Sequence, residues 1–443
     1  MTDVIVAIAT PLGKAGISIV RVSGKESLSI CKKMFFPYKK DITFSPNLMT
    51  LGKIDLGGYF DKGFMVFFKA PHSYTGEDVV EFHCHGGYFI AQKIVERLLS
   101  LGAKMAEPGE FSKRAFLNGK MSLDEAEGVI DSINAETESE FKTSSMLVRG
   151  KLFEKIKNLQ NKIIDIMSEI EVNLDYPEHD IEYQTKQNLK NSLDYVEKEL
   201  KTLLSTQKQG KIIKNGVNIS IVGKPNVGKS MLLNALTGFE TAIVTDIEGT
   251  TRDIVTSSIE YKGFKFNFLD TAGIRDTKDK IEEIGIEKTK QTIEKSDIVL
   301  VLLDSSKDLT PEDEQILSLV KDKNVITVLT KSDLPQKMLF ESQDIKISAK
   351  NDTNIDSLKE MIYKKAVDTE NSSSLILTNS RHIEILDEAV AISQNIILTC
   401  MDMSLDMLSL DVRLLYEKLG EITGENTTEE VINRIFSKFC LGK

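Results

Sequence analysis

The sequence predicts a multidomain protein with an α+β N-terminal domain, an all-α helical bundle, and an α/β P-loop domain inserted into that bundle. The first observation is an apolar run at 217–222 that leads into the phosphate-loop pattern GKPNVGKS. The second is a set of helical stripes on both sides of this region. The third is the first 119 residues, where short apolar runs alternate with Gly and Pro. A chain of 443 residues has room for about three domains.

Four strands and one helix are predicted in the N-terminal part. The strands are Val4–Ala9, Ile17–Val22, Gly63–Lys69 and Val79–His85, and the helix is Ala91–Leu101. His83 and His85 could share one face of a strand. Two histidines without a third ligand favour a structural role over a metal site.

Ser122 and Glu125 form a predicted capping box where the helical part begins. Amphipathic stripes follow, and each predicts a helix surface that faces a core. They run over 126–133, 156–170, 193–204, 383–396, 408–419 and 428–439. Two polar segments, 207–215 and 368–374, are interpreted as connections to an inserted domain. The predicted domains are therefore 1–119, 120–210, 211–372 and 373–443, and the second and fourth are halves of one bundle.

Composition narrows the class of protein. A net charge of −11 argues against coating nucleic acid by bulk electrostatics, although a local basic patch is compatible with it. The sequence has no apolar run of the ~18 residues that a membrane span needs. The four cysteines are scattered, without a CxxC pair, which indicates reduced thiols and a cytoplasmic location.

The phosphate loop lies between an apolar strand pattern and a helical one, as its chemistry requires. Its glycines let backbone N–H groups turn toward phosphate oxygens. Lys229 can reach the β and γ oxygens, and the Ser230 hydroxyl is a candidate ligand of Mg²⁺. This combination predicts a nucleotide hydrolase.

Three later motifs favour GTP as the nucleotide, and with it a Ras-like GTPase domain. Asp270-Thr271-Ala272-Gly273 follows the predicted strand Phe264–Leu269, where a carboxylate can hold a magnesium-bound water and an amide can meet the γ-phosphate. Thr330-Lys331-Ser332-Asp333 offers a carboxylate that can accept two guanine protons, and Thr330 stands where Asn is usual. We expect Thr330 to keep one hydrogen bond to the phosphate loop. Ser348-Ala349-Lys350 is a turn that packs near the base in such folds.

The catalytic water has no obvious partner in the usual place. Ile274 follows the Asp-Thr-Ala-Gly motif, where many GTPases have a glutamine. Thr251, beside Arg252 in a switch-like segment, is the expected second Mg²⁺ ligand. A carboxylate at Glu282 could act on water from further away, although the residues alone are equally compatible with a solvated helix turn.

Further sequences extend over nearly the whole chain and are similar to one family. They are AIATP at 7–11, GISIVRVSG at 16–24, SYTGED at 73–78, CHGG at 84–87, PGEFSKRAFLNGK at 108–120 and FCLGK at 439–443. Together they resemble the MnmE (TrmE) family of GTPases, which modify the wobble uridine of tRNA. Leu441 stands where Ile is common in that family.

The resemblance implies a folate-binding-like N-terminal domain that also dimerises. A 5-formyl or 5,10-methylene tetrahydrofolate would be bound by Arg21, Glu81, Lys120 and Lys443, and Cys440 could be a nucleophile or only line the site. It further implies a homodimer, a tRNA substrate, and an FAD-dependent partner, MnmG (GidA). The product would carry an aminomethyl or carboxymethylaminomethyl group on carbon 5 of uridine 34.

The resemblance also implies potassium-dependent hydrolysis. K⁺ would be held by Asn226, the Thr245 and Ile247 carbonyls and Thr250, while Glu282 would position water through a second water, with Arg252 and Asp270 as further catalytic residues. The expected GTP contacts are Asn226, Val227, Gly228, Lys229, Ser230, Met231, Thr245, Asp246, Ile247, Glu248, Gly249, Thr250, Thr251, Asp270, Thr271, Ala272, Gly273, Lys331, Asp333, Ser348, Ala349 and Lys350.

Two other classes of function remain open on sequence. A ribosome-assembly GTPase would share every motif from 223 to 350, but it predicts an appended RNA-binding module with a GxxG loop, which the helices do not show. A folate-binding protein whose GTPase is purely regulatory would tolerate loss of the Cys440 thiol.

Overall fold

A computed structural model describes residues 3–39, 42–175, 179–238, 255–269, 290–338, 340, 342–367 and 375–443. The chain divides into two compact units. The first comprises 1–133, 145–197 and 385–443, and the second comprises 134–144 and 198–384. The four domain ranges expected from the sequence stay a prediction, because this division addresses compactness and not domain function.

The first unit begins with a seven-stranded sheet in the order β3-β4-β5-β6-β2-β1-β7. Its strands are β1 Ile5–Ile8, β2 Ile17–Ser23, β3 Phe35–Pro37, β4 Thr50–Asp55, β5 Phe60–Phe68, β6 Val79–His85 and β7 Lys104–Met105. All neighbours pair antiparallel except β1 and β7, which are parallel. Helices α1 (Ser27–Lys32) and α2 (Tyr88–Ser100) contribute Ile30, Ile94 and Leu98 to the core on one face.

The sequence missed β3, β4 and β7. These strands are short or carry Gly, Lys and Asp, so their side-chain pattern is weak. β3 pairs with β4, β4 also pairs with β5, and β7 pairs with β1, and this pairing supplies their backbone hydrogen bonds. Tertiary pairing therefore decides their structure.

Helices form the rest of the first unit and lead into the second. They are α3 Glu110–Leu117, α4 Leu123–Asn134, α5 Glu138–Val148, α6 Lys151–Asp175, α7 His179–Leu204, α12 Ser380–Thr399, α13 Leu405–Thr423 and α14 Glu429–Phe436, where α8 to α11 belong to the second unit. Helix α6 packs along α13. The predicted capping box is confirmed, since Ser122 N donates to Glu125 Oε2 (2.8 Å) and Glu125 N to Ser122 Oγ (3.4 Å).

The second unit contains a six-stranded sheet in the order β13-β12-β11-β8-β10-β9. Its strands are β8 Val217–Val222, β9 Val255–Tyr261, β10 Phe264–Leu269, β11 Ile298–Asp304, β12 Val325–Thr330 and β13 Ile345–Lys346. Only β9 runs antiparallel to its neighbour. Its helices are α8 Gln207–Asn215, α9 Lys229–Thr237, α10 Pro311–Leu319 and α11 Ile355–Ala366.

Strand β8 is central, and the strand order reverses around it. β10 lies on one side of β8 and β11 on the other. Open parallel sheets bind ligands at the carboxyl ends of the strands, at such a switch point. The phosphate loop follows β8 at this edge, Asp304 ends β11, and Thr330 ends β12.

The interpretation of 207–215 as a polar connection was wrong. This segment is helix α8, in which Gly210 and Ile213 are buried. A Cβ on Gly210 would lie 1.7 Å from the Leu377 carbonyl oxygen, so the segment packs closely against residue 377. Two adjacent isoleucines among the polar residues provide the apolar face that a connection would not need. The other predicted connection, 368–374, lies outside the described residues.

Within the part of the chain that the structure describes, no helix is long and apolar enough to cross a membrane.

Candidate functional site

The phosphate loop needs unusual backbone angles that its residues permit. Gly223, Asn226 and Gly228 have φ of 155°, 60° and 109°. These values lie in the region that glycine and, less often, asparagine adopt without strain. A Cβ on Gly223 would lie 2.7 Å from the Leu302 carbonyl oxygen, so the first position requires glycine for space as well.

Lys229, the first residue of α9, directs its ammonium group back into the loop. Its Nζ donates to Gly223 O at 2.6 Å and to Lys224 O at 3.0 Å. Burial lowers the pKa of this amine. A lysine at a helix N-terminus, held in a glycine-rich turn, is suited to binding phosphate oxygens.

Thr330 joins the predicted guanine motif to the phosphate loop. Its hydroxyl, which is buried, donates to the Val227 carbonyl at 2.7 Å and lies 3.2 Å from the Leu303 carbonyl. The hydrogen bond expected at this position is therefore present despite the departure from asparagine. The next residue, Lys331, has a φ of 57° and forms an ion pair with Asp304 (2.6 Å).

The charge state of Asp304 follows from two opposing effects. Burial raises the pKa of this carboxyl group, but hydrogen bonds from Lys331 and Ser306 lower it by more. The pKa of Asp304 is therefore below its ordinary value. Asp304 is thus an anion that fixes the Lys331 side chain.

Asp333 and Ser348, predicted to lie near the base, are in contact. The Ser348 hydroxyl donates to Asp333 Oδ1 at 2.7 Å, and this hydrogen bond lowers the pKa of the exposed Asp333 carboxyl. Ala349 is half-buried and Lys350 exposed. The structure therefore gathers the 223–230, 330–333 and 348–350 motifs at one edge of the sheet.

Several predicted nucleotide and cation contacts lie outside the described residues. They are Thr245, Asp246, Ile247, Glu248, Gly249, Thr250, Thr251, Arg252, Asp270, Thr271, Ala272, Gly273 and Glu282. Of the remaining cation candidates, Asn226 and Ser230 are both exposed at the loop. The described residues contain no group of three or more His, Cys, Asp or Glu side chains placed to hold a metal ion.

A second polar site surrounds Arg21 in the first unit. Arg21 on β2 pairs with Glu81 on the neighbouring β6, with Nε 2.8 Å from Oε1, and both side chains are less than 20% exposed. Burial raises the pKa of Glu81, but hydrogen bonds and charge from His83 and Arg21 outweigh it, so the pKa is lowered. The Arg21 guanidinium also lies over the rings of Tyr74 (5.2 Å) and Phe111 (5.8 Å).

The C-terminus reaches the same site. Arg21 Nη1 donates to the Gly442 carbonyl at 3.3 Å. Burial, together with the nearby Arg21 charge, lowers the pKa of Lys443. Cys440 is exposed beside it, and Lys443 N donates to Cys440 O at 3.3 Å.

Lys120, the fourth predicted folate residue, lies beside Gly76. It is exposed, and a Cβ on Gly76 would lie 3.2 Å from its Cγ. Its side chain therefore runs along the 73–78 loop, which also carries Tyr74.

His83 and His85 contact different carboxylates. His83 Nε2 lies 3.3 Å from Glu81 Oε2, and His85 Nδ1 lies 2.6 Å from Asp61 Oδ1. Each histidine therefore has a carboxylate partner, and its structural role stays a prediction.

Sequence reasoning missed three site residues. Tyr74 and Phe111 lie in the SYTGED and PGEFSKR segments, but nothing in the sequence indicated that they stack on Arg21. Lys224 forms an ion pair with Asp313 (2.6 Å), whose carboxylate also closes the capping box of α10 with Thr310. The Thr310-Pro311-x-Asp313 pattern predicts that box, but not its link to the phosphate loop.

The loop after β8, Lys229 and the Thr330 hydrogen bond define a P-loop nucleotide-binding protein of the GTPase type. Two family models match the chain: the GTP-binding protein TrmE N-terminus over residues 4–120, and the MnmE helical domain over residues 123–440. A protein of Clostridioides difficile named tRNA modification GTPase MnmE is 41% identical over 100% of this chain and 99% of its own length. One of the same name from Natranaerobius thermophilus is 40% identical over the same shares.

The chain therefore belongs to the MnmE family of tRNA modification GTPases. A ribosome-assembly GTPase is not favoured, because the matches extend over the N-terminal and helical regions. A solved structure of Era with MgGDPNP and a 16S ribosomal RNA fragment is 31% identical over 35% of this chain and 59% of that chain. Its TM-score is 0.28.

Proposed function

We propose that this chain hydrolyses GTP and, with an FAD-dependent MnmG (GidA) partner, modifies carbon 5 of uridine 34 in tRNA with a one-carbon unit from tetrahydrofolate. The observation that carries the proposal is the meeting of Arg21, Glu81 and residues 440–443. Nucleotide hydrolysis alone gives no reason for a chain to bring residues 440–443 onto a half-buried arginine in its N-terminal sheet.

The residues around Arg21 fit a folate. Arg21 and Lys443 are cations that can pair with carboxylates, and the Glu81 carboxylate can accept hydrogen bonds from pterin amino groups. Tyr74 and Phe111 offer aromatic surface beside them. When bound, the folate would supply the one-carbon unit, and Lys120 would contribute a further positive charge. Cys440, exposed beside Lys443, is proposed as a thiol nucleophile, and unchanged tRNA modification by Cys440→Ala would contradict that role.

The nucleotide edge fits GTP with Mg²⁺. Lys229 provides the charge for β and γ oxygens, Asp333 accepts from guanine, and the exposed Ser230 hydroxyl is the proposed metal ligand. Thr251, Asp270 and Arg252 are proposed to complete the site. Glu282 is proposed to position the attacking water, and Glu282→Ala should then keep GTP binding and lose most turnover.

Potassium is proposed as the cation that offsets charge in the transition state. Asn226 stands at the loop with a left-handed backbone, and Ile274 cannot orient water. Thr245, Ile247 and Thr250 are the proposed further ligands. Hydrolysis should be faster in KCl than in NaCl at equal ionic strength, and equal rates would contradict the proposal.

A homodimer is proposed through the N-terminal sheet. The face of the sheet opposite α1 and α2 exposes Ile17, Leu51 and Phe64, and Leu51 is paired with Phe64 across β4 and β5. Exposed apolar neighbours of this kind are typical of an interaction surface. A monomeric mass for the purified protein by light scattering would contradict this homodimer.

The proposed substrate is tRNA in the cytoplasm.

The proposed function is tested by analysing tRNA nucleosides from bacterial cells that lack their own family member. Expression of this chain with its MnmG partner should restore aminomethyl or carboxymethylaminomethyl uridine at position 34. Arg21→Ala and Lys229→Ala should each fail to do so, while Lys211→Ala, at an exposed lysine of α8, should succeed. Unmodified uridine 34 in cells that contain folded wild-type protein would overturn the proposal.

A further inference from the structure

The β9–β10 hairpin is held by a segment that comes from far away in the chain. Residues 134–144 belong to the second compact unit with 198–384, whereas the residues between them, 145–197, belong to the first. The segment includes the N-terminal part of α5. It contacts the turn of the hairpin, where Lys262 and Gly263 have φ of 50° and 82°.

The first contact is an ion pair. Lys265 Nζ on β10 lies 2.5 Å from Glu136 Oε2, and the two side chains are only 19% and 23% exposed. An ion pair of this burial is screened less than a surface pair and has a more defined geometry.

The other contacts cap α5. Ser139 N donates to the Gly263 carbonyl at 3.2 Å, and Glu138 N donates to Glu260 Oε1 at 3.3 Å. Both amides are in the first turn of α5, where backbone N–H groups lack partners within the helix. A carboxylate there also interacts favourably with the helix dipole. The hairpin therefore supplies the acceptors that the beginning of α5 needs.

A second set of contacts fixes the same turn within the nucleotide fold itself. Tyr261 OH donates to Glu360 Oε2 at 3.0 Å, and Lys262 pairs with the same carboxylate at 2.5 Å. Glu360 is on α11. The turn thus has one attachment to a helix of the nucleotide fold and one to the distant segment.

The hairpin lies in sequence between two proposed parts of the GTP site, Thr251 and Asp270. β9 begins at Val255, four residues after Thr251, and β10 ends at Leu269, directly before Asp270. β10 also pairs in parallel with β8, which leads into the phosphate loop. A shift of the hairpin along its strands therefore moves Val255 and Leu269, the strand ends that are closest in sequence to Thr251 and Asp270.

We propose that Glu136 and the N-terminus of α5 position the β9–β10 hairpin for GTP hydrolysis, so that turnover depends on a segment outside the nucleotide fold. Glu136 acts through Lys265 and is a positioning residue. This inference rests on the proposed GTP hydrolysis. It adds that the rate of hydrolysis, rather than nucleotide affinity, responds to the attachment of α5.

The test measures phosphate release at saturating GTP and the affinity for a fluorescent GDP analogue, using the full-length chain. Glu136→Gln and Lys265→Gln should each lower kcat by about three- to tenfold, and the double variant by no more than either one. KM and the GDP affinity should stay within about twofold, because neither side chain is in the phosphate loop. The charge exchange Glu136→Lys with Lys265→Glu should recover most of the wild-type rate.

Glu154→Gln is the matched control, because Glu154 forms an exposed ion pair with Lys151 in α6. It should leave kcat unchanged. Wild-type kcat in both single variants would overturn this inference and leave the proposed function standing. An equal loss of kcat and GDP affinity would do the same. No hydrolysis by the wild-type chain would overturn the proposed function, and this inference with it.

Discussion

The nucleotide site and the site around Arg21 are built in different ways. The phosphate loop and its lysine occupy eight consecutive residues, and the strand before them and the helix after them fix their geometry. The Arg21 site joins β2, β6, the 73–78 loop and the last residues of the chain, and one of its hydrogen bonds spans 421 positions. A local motif can be identified from sequence alone, whereas a site assembled over this distance cannot.

The predictability of the fold differs in the same way. The sequence located β6, β8 and β10 at their observed bounds, because each is a continuous apolar or alternating run. It missed β3, β4 and β7, which depend on pairing, and it misassigned α8, whose two isoleucines were hidden among polar residues. Local pattern is informative where an element buries its own face.

The same physical reason limits prediction of the sites. Lys229 and Asp333 follow from motifs, but without the family resemblance Arg21 and Lys443 would be a surface charge and a frayed end. The stacking of Tyr74 on Arg21 and the ion pair of Lys224 with Asp313 became visible only in three dimensions. Side chains that meet through tertiary packing leave no spacing signal.

The largest effect is expected from a substitution that disables the nucleotide site and leaves the Arg21 site intact. Lys229→Ala removes the ammonium group that the loop carbonyls hold, and we expect GTP hydrolysis to fall by about 10²-fold or more, as for loss of one preorganised donor. Folate binding should be unchanged, because the Arg21 site does not include this lysine. Phosphate-release assays check the first expectation, with Lys211→Ala as control. Wild-type turnover in Lys229→Ala would contradict the assignment of the loop.

A smaller effect is expected where the guanine motif meets the loop. Thr330→Val leaves the buried Val227 carbonyl without its hydroxyl donor, which costs about 1–3 kcal/mol. We expect the phosphate loop to distort in response, which should weaken GTP affinity by about tenfold. Thr330→Ser keeps the donor and should bind GTP as the wild type does. Equal affinities of the valine and serine variants, measured by nucleotide titration, would show that the hydrogen bond does not support binding.

The smallest effect concerns the stability of the Arg21 site. The pKa of Glu81 is below its ordinary value of 4.5, so its ionised form stabilises the fold above that pH, and this stabilisation is lost as the pH falls through the lowered pKa. Glu81→Gln should cost on the order of 1 kcal/mol at pH 7, since the pair is partly exposed. The difference from wild type should shrink below pH 4.5.

Urea unfolding followed at several pH values measures this difference. Asp3→Asn is the control, because its ion pair with Lys104 is exposed in the same unit. A wild-type stability profile for Glu81→Gln would mean that the Arg21–Glu81 pair contributes nothing to the folded state.

The most direct test of two separate sites in one chain is calorimetric titration with 5-formyltetrahydrofolate. The account predicts saturable binding to the wild type and to Lys229→Ala, and loss of binding in Arg21→Ala. Absence of binding by a folded protein that still binds GTP would contradict it, as would undiminished binding by Arg21→Ala.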